Sequence, residues 1–310
     1  MKHGLFFILT ALFFNSCRNE IPPVIDLAGE WLFRIDATDQ GINKQWFKQS
    51  LEEKVNLPGS MATNGKGFEI LVNTQWTGGI VDSSWYFHEK YAPYRKEGNI
   101  KVPFWLQPEV YYVGAAWYQK TVAIPEAWKS SYIELFLERC HWETTVWIDD
   151  QEVGTQNSLA TPHIYDLTNL LTPGTHTLTI RVDNRIKVID PGINSHSIAD
   201  HTQTNWNGII GKMTLEAKPA IRLGDVRIDT DFLEGKVKVT GNIINITRKA
   251  TSGQIRLATK LMSAGAGEET VHIDEPLKIA EAETVFMFDF PLGDEVGLWD
   301  EFYPNMYHLF

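Results

Sequence analysis

Apolar and polar residues alternate along most of the chain, in short runs separated by Gly, Pro, Asn and Asp. The cleanest run covers residues 175–183, and two more lie within residues 133–154, where aromatic and β-branched side chains alternate with polar ones. Alternation with a period of two places successive side chains on opposite faces of a β-strand. The pattern predicts strands at both places, with a hairpin turn at residues 149–151.

Strand pairing and a second unit are predicted from the same pattern. We expect the strand at 175–183 to pair with residues 212–217, on the far side of a long polar loop. Beyond Lys218 and Pro219 the alternation returns at the spacing of a small β-sandwich. The predicted strands of this second unit are 221–229, 236–245, 253–262, 268–273 and 284–291.

Composition narrows the classes of function. The 310 residues are 43% hydrophobic and 22% charged, which is ordinary for a globular protein, and the net charge of -11 is spread along the chain. A nucleic-acid partner is not expected, because phosphate-binding surfaces need clustered Lys and Arg. The eleven Trp residues suit either a sandwich core or a sugar-binding platform.

The first residues are expected to be an export signal. Residues 5–14 are an apolar run too short to span a bilayer, and they follow a basic start. Residues 14–17 resemble a bacterial lipoprotein cleavage site, with Phe14 where Leu is usual. We therefore expect a signal at 1–17, lipidation of Cys17, a tether at 18–26, and a location in the periplasm or on the outer membrane surface. An ordinary secretory signal is the alternative.

Cysteine and histidine usage gives no support for a metal or a cofactor. If Cys17 is the lipidated residue, Cys140 is the only other cysteine, so no internal disulfide is expected. Cys140 follows Arg139 in a predicted strand and is expected to be buried. The set His196, Asp200 and His201 is not an i, i+4 pair in a helical context, so we predict no metal site and no cofactor.

Two long loops are the candidates for ligand binding. Residues 61–108 are rich in aromatic side chains, which either contact a sugar or fold back over the sheet. Residues 184–211 are rich in hydrogen-bonding side chains beside a Trp, which suits an array of sugar hydroxyl groups; an ordinary loop that satisfies its own backbone is the alternative. The predicted sugar-binding residues are Asp200, His201, Gln203, Asn205 and Trp206.

Several motifs in order resemble the N-terminal sugar-binding domain of glycoside hydrolase family 2, the family of β-galactosidase, β-glucuronidase and β-mannosidase. They are AAWYQK at 115–120, ER at 138–139, TVWID at 145–149, EVG at 152–154, HIYDLT at 163–168 and NWNGI at 205–209. The resemblance implies an all-β chain: a galactose-binding-like jelly roll at 27–218, then an immunoglobulin-like sandwich at 219–310. It also implies that the loop 184–211 reaches the active-site mouth and touches the bound sugar.

The catalytic machinery of that family is not found in this sequence. Its retaining members use two Glu residues on a (β/α)₈ barrel, one of them in an Asn-Glu pair. The only such pair here is Asn19-Glu20, in the predicted tether, and no helical period follows Pro219. The resemblance therefore implies the non-catalytic front portion of a β-galactosidase-like enzyme, inactive alone and with an incomplete second sandwich.

The alternative is a free-standing carbohydrate-binding surface lipoprotein. The expected partners are a β-glycoside sugar and a chain that carries the barrel, and a homo-oligomer is left open.

Overall fold

The computed structural model describes residues 23–77, 84–101, 107–187, 192, 195, 196, 199, 200, 205–231, 233–261, 271–292 and 297–309. Cys17, the predicted signal and the first part of the tether lie outside these residues. Within them, no helix has the length and apolar character needed to cross a membrane. The described chain is built of strands and short 3-10 helices, so the predicted all-β class is confirmed.

The first sandwich packs two antiparallel sheets face to face. Its strands are β1 (Val24–Asp26), β2 (Gly29–Asp36), β3 (Glu53–Leu57), β4 (Gly59–Ser60), β5 (Phe68–Glu69), β6 (Val110–Tyr111), β7 (Ala115–Ile124), β8 (Tyr132–His141), β9 (Glu143–Ile148), β10 (Gln151–Asn157), β11 (His163–Asp166), β12 (Gly174–Asp183) and β13 (Gly208–Lys218). The six-stranded sheet has the order β10-β9-β12-β7-β2-β3. In the five-stranded sheet, β1-β13-β8-β11 are neighbours and β4 also pairs with β13, and β5 and β6 form a separate two-stranded sheet.

The alternating stretch at 133–154 is divided between these two sheets. β9 and β10 form the predicted hairpin, with Asp149 at the turn in the left-handed region (φ 53). β8, however, pairs with β11 and β13 in the other sheet. The chain crosses from one sheet to the other at Trp142, so the first alternating run is not an arm of the hairpin.

The predicted pairing of residues 175–183 with 212–217 is wrong. β12 pairs with β7 and β9, whereas β13 pairs with β8, β1 and β4. The loop between β12 and β13 therefore carries the chain from one sheet to the other. Alternation fixes which side chains face inward, but it carries no information about which sheet a strand joins.

Apolar side chains from both sheets fill the space between them. Trp31, Phe33, Leu135 and Leu137 are among the fully buried members of this core. A smaller cluster covers the outer face of the six-stranded sheet, where the ring of Trp147 stacks on those of Trp117 at 5.0 Å and Phe47 at 5.3 Å. Most of the described Trp residues thus serve packing: Trp31, Trp46, Trp117, Trp128, Trp142 and Trp147 are all buried.

The second sandwich is smaller. Its strands are β14 (Ile221–Asp231), β15 (Lys236–Asn245), β16 (Thr251–Leu261), β17 (Val271–Ile279), β18 (Glu283–Pro291) and β19 (Tyr307–Leu309). One sheet has the order β14-β15-β18 and the other β17-β16-β19. Its core is built around Val239, Leu257 and Phe290. β17 takes in residues 271–273 of the strand predicted at 268–273 and continues to Ile279, whereas residues 268–270 lie outside the described residues.

Short 3-10 helices occupy the connections. They span Trp46–Lys48, Ala62–Asn64, Ser84–Phe87, Glu89–Arg95 and Glu126–Trp128. The second, third and fourth lie in the aromatic loop 61–108, which also holds β5; this strand pairs with β6, just after the loop.

Candidate functional site

The strand registers bring both candidate loops to one end of the first sandwich. Asp183, the last residue of β12, pairs with Ala115 at the start of β7 and with Glu143 at the start of β9. In the other sheet, Gly208 at the start of β13 pairs with His141 at the end of β8 and with Ser60. The loops that leave these positions therefore share this end, which is called the loop end below.

Asp200 anchors the polar loop to the aromatic loop. Its side chain is 2% exposed. One carboxylate oxygen accepts hydrogen bonds from the Thr77 amide at 2.6 Å and the Tyr111 hydroxyl at 2.7 Å, and the other accepts from the Asn205 amide at 2.8 Å. The Asp200 amide donates to the Thr77 carbonyl at 3.0 Å. Hydrogen bonds to an ionised acceptor are the strong ones, so Asp200 ties two distant loops together.

Burial changes the pKa of Tyr111, the tyrosine that donates to Asp200. Burial of Tyr111, together with the neighbouring Asp200 carboxylate, raises the pKa of the phenol well above its usual value. Tyr111 therefore stays a hydrogen-bond donor to Asp200 across the ordinary pH range. The ring of Trp76 packs on Tyr111 with centroids 4.6 Å apart. Asp200, Thr77 and Tyr111 are called the loop latch below.

Three asparagines hold the neighbouring backbone. Asn205 donates to the Thr77 hydroxyl at 2.8 Å and the Asn184 carbonyl at 3.1 Å. Asn207 donates to the Gly114 and Val182 carbonyls, and Asn184 accepts from the Gly114 amide. All three side chains are buried. They satisfy backbone groups where strands end, which is a positioning role.

Trp206 presents the half-buried aromatic surface of this end. Its indole stacks on the imidazole of His141, with ring centroids 4.7 Å apart and an interplanar angle of 24°. The His141 Nδ1 also lies 2.6 Å from the Trp206 carbonyl oxygen. Trp206 is thus held between buried Asn205 and Asn207, and as a residue it is itself partly exposed. A fixed, partly exposed indole is suited to stacking on the apolar face of a sugar.

A charged cluster fixes the strand ends beneath the loops. Asp183 is fully buried, and its Oδ2 lies 2.9 Å from an Arg181 nitrogen and 2.7 Å from Lys187 Nζ. Burial by itself would raise the pKa of Asp183, but hydrogen bonds from Arg185 and Lys187 outweigh it and hold the pKa well below the ordinary value. Lys187 also lies 2.7 Å from the Glu143 carboxylate. These charges compensate one another and stabilise the end of β12.

The predicted site residues separate into two groups. Asp200, Asn205 and Trp206 lie together at the loop end, whereas His201 and Gln203 lie outside the described residues. Thr77 and Tyr111, which complete the latch, were not predicted. No local signal identifies them, because Tyr111 lies 89 positions from Asp200 in sequence.

The described aromatic residues of the loop 61–108 fold back in part. Tyr86 is buried, and its hydroxyl donates to the Tyr94 carbonyl at 3.1 Å. Phe68 packs against Tyr112 at 5.7 Å. Phe68 and Phe87 are nevertheless 54% and 57% exposed. Among the residues described, no group of three or more His, Cys, Asp or Glu side chains is arranged to hold a metal ion.

Comparison with known proteins agrees with this architecture. A family model described as "Glycosyl hydrolases family 2, sugar binding domain" matches residues 77–219. The match begins at the latch residue Thr77 and takes in the strands from β6 to β13. The chain carries the sugar-binding domain of glycosyl hydrolase family 2. The resemblance seen in the sequence motifs is thereby confirmed.

Relatives of the whole chain are larger proteins. A β-glucuronidase of Paenibacillus borealis is 22% identical over 248 residues, which is 75% of this chain and 35% of the relative. A β-galactosidase of Arthrobacter sp. (strain B7) is 24% identical over 226 residues, or 70% of this chain and 21% of the relative. The chain therefore spans about a third or less of these relatives.

Solved structures share the fold across both sandwiches. A Bacteroides uniformis β-glucuronidase 2, covalently bound to cyclophellitol-6-carboxylate aziridine, superposes with a TM-score of 0.64 at 17% identity. It covers 92% of this chain, which corresponds to 30% of that structure. A Ruminococcus gnavus β-glucuronidase has a TM-score of 0.55 at 15% identity, and covers 92% of this chain and 40% of that structure. At these identities the likeness establishes the fold alone.

Proposed function

We propose that the chain is the non-catalytic N-terminal part of an exported family 2 β-glycosidase that acts in carbohydrate breakdown. In this proposal the two sandwiches buttress a catalytic barrel, and the loop end lends one wall to the sugar pocket. Trp206 carries the proposal, because a half-buried indole stacked on His141 is the group at this end best suited to face a sugar ring. Export rests on residues 1–17 and on Cys17 as the lipidation site.

The roles within the proposed wall follow from burial. Trp206 contacts the sugar, and Asn205 fixes the backbone that carries Trp206. Asp200 positions the loop from behind, since its 2% exposed carboxylate is already bonded to Thr77, Tyr111 and Asn205. His201 and Gln203 remain proposed sugar contacts on sequence grounds. The relatives named as β-glucuronidase and β-galactosidase leave both sugars as candidate substrates.

Titration with simple sugars tests the wall. The 310-residue chain would be titrated with methyl β-glucuronide, methyl β-galactoside and methyl β-mannoside while its Trp indole signals are followed by NMR. We expect millimolar binding, about 4 kcal/mol, with the largest shift at Trp206 and loss of binding in Trp206→Ala. Phe87→Ala is the matched control, because Phe87 is an exposed aromatic on the other loop.

Two outcomes of that titration would change the conclusion. Shifts that avoid Trp206, or an equal loss in Phe87→Ala, would contradict the proposed wall. Micromolar affinity would favour a free-standing carbohydrate-binding lipoprotein instead. Separately, the chain should not hydrolyse p-nitrophenyl β-glycosides, and turnover that survives rigorous purification would refute the non-catalytic assignment.

A further inference from the structure

A cleft lies between the two sandwiches, at the end of the first sandwich opposite the loop end. Its volume is about 800 Å³, which is within the range of pockets that bind small ligands. One wall comes from the β7–β8 and β11–β12 connections, and the other comes from Ala220, Ile246, Thr247 and Lys249. β7 and β8 each run ten residues from the cleft to the loop end, which is about 30 Å. The two regions are therefore separate.

Hydrogen bonds fix both walls of the cleft. On the first wall, the Ile133 amide donates to the Thr168 hydroxyl at 3.1 Å and so ties the start of β8 to the β11–β12 connection. On the second wall, the side chain of Asn245 is 1% exposed and donates to the Lys249 carbonyl at 2.8 Å. The backbone that carries the lining side chains is thus held in place, and such preorganisation favours ligand binding.

A contact between the sandwiches holds the two walls together. The guanidinium of Arg222, in β14, lies 3.5 Å from the centroid of the Tyr132 ring at the start of β8. An arginine over an aromatic face is an attractive cation–π contact. Because Tyr132 directly precedes the lining residue Ile133, this contact fixes the second sandwich beside the first wall.

Several polar side chains that line the cleft are not used by the fold. Within the described residues, the hydroxyls of Ser130, Ser131 and Thr172 have no hydrogen-bond partner, and the Lys249 ammonium has no carboxylate within ion-pair distance. Lys129 lies 3.4 Å from the carboxylate of exposed Glu126, and exposed pairs of this kind are weak. The cleft therefore offers hydroxyls and at least one uncompensated positive charge.

These groups indicate the chemistry of a ligand. Hydroxyls both donate and accept hydrogen bonds, as the hydroxyls of a sugar do, and Ile133, Pro173 and Ile246 give the cleft an apolar surface as well. The two lining lysines and the one lining carboxylate, Glu126, leave a single positive charge in a chain whose net charge is -11. One positive charge suits a carboxylate better than a doubly charged phosphate.

We propose that the cleft binds a short acidic oligosaccharide. Its carboxylate pairs with Lys249 on one wall, and its hydroxyls bond to Ser130, Ser131 and Thr172 on the other. The cleft is larger than one sugar ring, and these groups lie on opposite walls, so a disaccharide is the smallest ligand expected to reach both. The proposal does not rest on the function proposed for the loop end.

The experiment compares two disaccharides that differ in one group. Cellobiouronate is a glucuronate linked β-1,4 to glucose, and cellobiose carries a hydroxymethyl group in place of the carboxylate. Both, and inorganic sulfate as a simple anion, are titrated into the 310-residue Trp206→Ala variant, so that the proposed sugar wall does not contribute. Backbone amide signals of Ser131, Thr172 and Lys249 are followed by NMR.

We expect cellobiouronate to bind with about millimolar affinity and to shift the amides of both walls. Lys249→Gln should weaken its binding about fivefold, and cellobiose should bind with about the same reduced affinity whether or not Lys249 is replaced. Ser131→Ala should weaken both disaccharides. Lys238→Gln is the matched control, because Lys238 is an exposed lysine of the same sandwich that does not line the cleft.

Four results would overturn the proposal. They are an absence of binding, shifts that avoid the cleft, an equal loss in Lys238→Gln, and equal affinity for the two disaccharides. Sulfate that causes the same shifts at the same concentration would also overturn it, by reducing the cleft to a nonspecific anion site. Thermal melting of every variant is measured first. If Trp206→Ala is unstable, the unaltered chain is titrated instead, with the cleft amides and the loop-end amides followed separately.

Discussion

The loop latch makes a quantitative prediction at Tyr111. Tyr111→Phe keeps the ring that packs on Trp76 and removes the hydroxyl that donates to Asp200 at 2.7 Å. Thr77 keeps its amide bond to Asp200 at 2.6 Å and its hydroxyl still accepts from Asn205, but it loses the longer contacts of its amide at 3.1 Å and its hydroxyl at 3.2 Å with the Tyr111 oxygen. The main loss is the buried hydrogen bond from Tyr111 to a charged acceptor, which contributes about 1.5–3 kcal/mol. We expect the free energy of unfolding of the first sandwich to fall by about 2 kcal/mol.

Tyr112→Phe is the matched control for this prediction. Tyr112 is 6% exposed and Tyr111 is 7% exposed, but the Tyr112 hydroxyl donates to the neutral Ala115 carbonyl at 2.7 Å. A neutral acceptor predicts the smaller loss of about 0.5–1.5 kcal/mol. Urea unfolding, with the first sandwich followed separately because two domains need not unfold as one, measures both. The latch is refuted if Tyr112→Phe costs as much as Tyr111→Phe, or if only Tyr112→Phe speeds amide exchange at Asp200 and Asn205.

Three further predictions concern the first sandwich. Burial lowers the pKa of His163, so the unfolded chain binds the proton more tightly than the folded chain does. The free energy of unfolding therefore keeps its full value above about pH 6.5 and falls below that pH. The fall should be shallower in His163→Gln. Burial raises the pKa of the Cys140 thiol, so in a Cys17→Ser background Ellman's reagent should react only as fast as the protein unfolds; faster labelling would contradict its burial. Gly208 has a φ of +145, and a Cβ built on it would lie 2.4 Å from the Gly59 carbonyl oxygen. Because both the backbone conformation and the space oppose a side chain, Gly208→Ala should lower the free energy of unfolding by more than about 3 kcal/mol. Gly174→Ala, at φ +139 in open space, should cost clearly less in the same urea titration.

Strand identity in this chain is encoded locally, and strand partnership is not. The alternation in THTLTIRVD predicted β12 within one residue, and the strands β14, β15 and β18 lie close to their predicted positions. The predicted partner of β12 was wrong, because the same inward face is buried whichever sheet the strand joins. Pairing depends on how the two sheets close over the core, and that is a property of the whole sandwich.

The candidate site was predictable only where its chemistry is concentrated in one segment. Asp200, Asn205 and Trp206 lie within one polar loop, and composition identified that loop as a candidate. Thr77 and Tyr111 come from the other loop and meet Asp200 only after the strands have paired. Long-range hydrogen bonds of this kind leave no periodic or compositional trace.

At the loop end, Asp200 is buried and Trp206 is partly exposed, and this difference separates the residue that positions the loop from the residue proposed to contact a sugar. Asp200 is engaged from three sides by protein donors, so it gains nothing by turning towards a ligand, and a ligand there would have to replace strong hydrogen bonds. Trp206 is anchored through its backbone and its stack on His141, so its ring needs no rearrangement to meet a sugar. If the loop end forms the proposed wall, the latch sets its position before any sugar arrives, and such preorganisation lowers the entropy cost of binding. In the proposed wall, a latch variant should therefore weaken sugar binding without altering any group that touches the sugar, whereas Trp206→Ala should abolish binding and also remove the stack on His141.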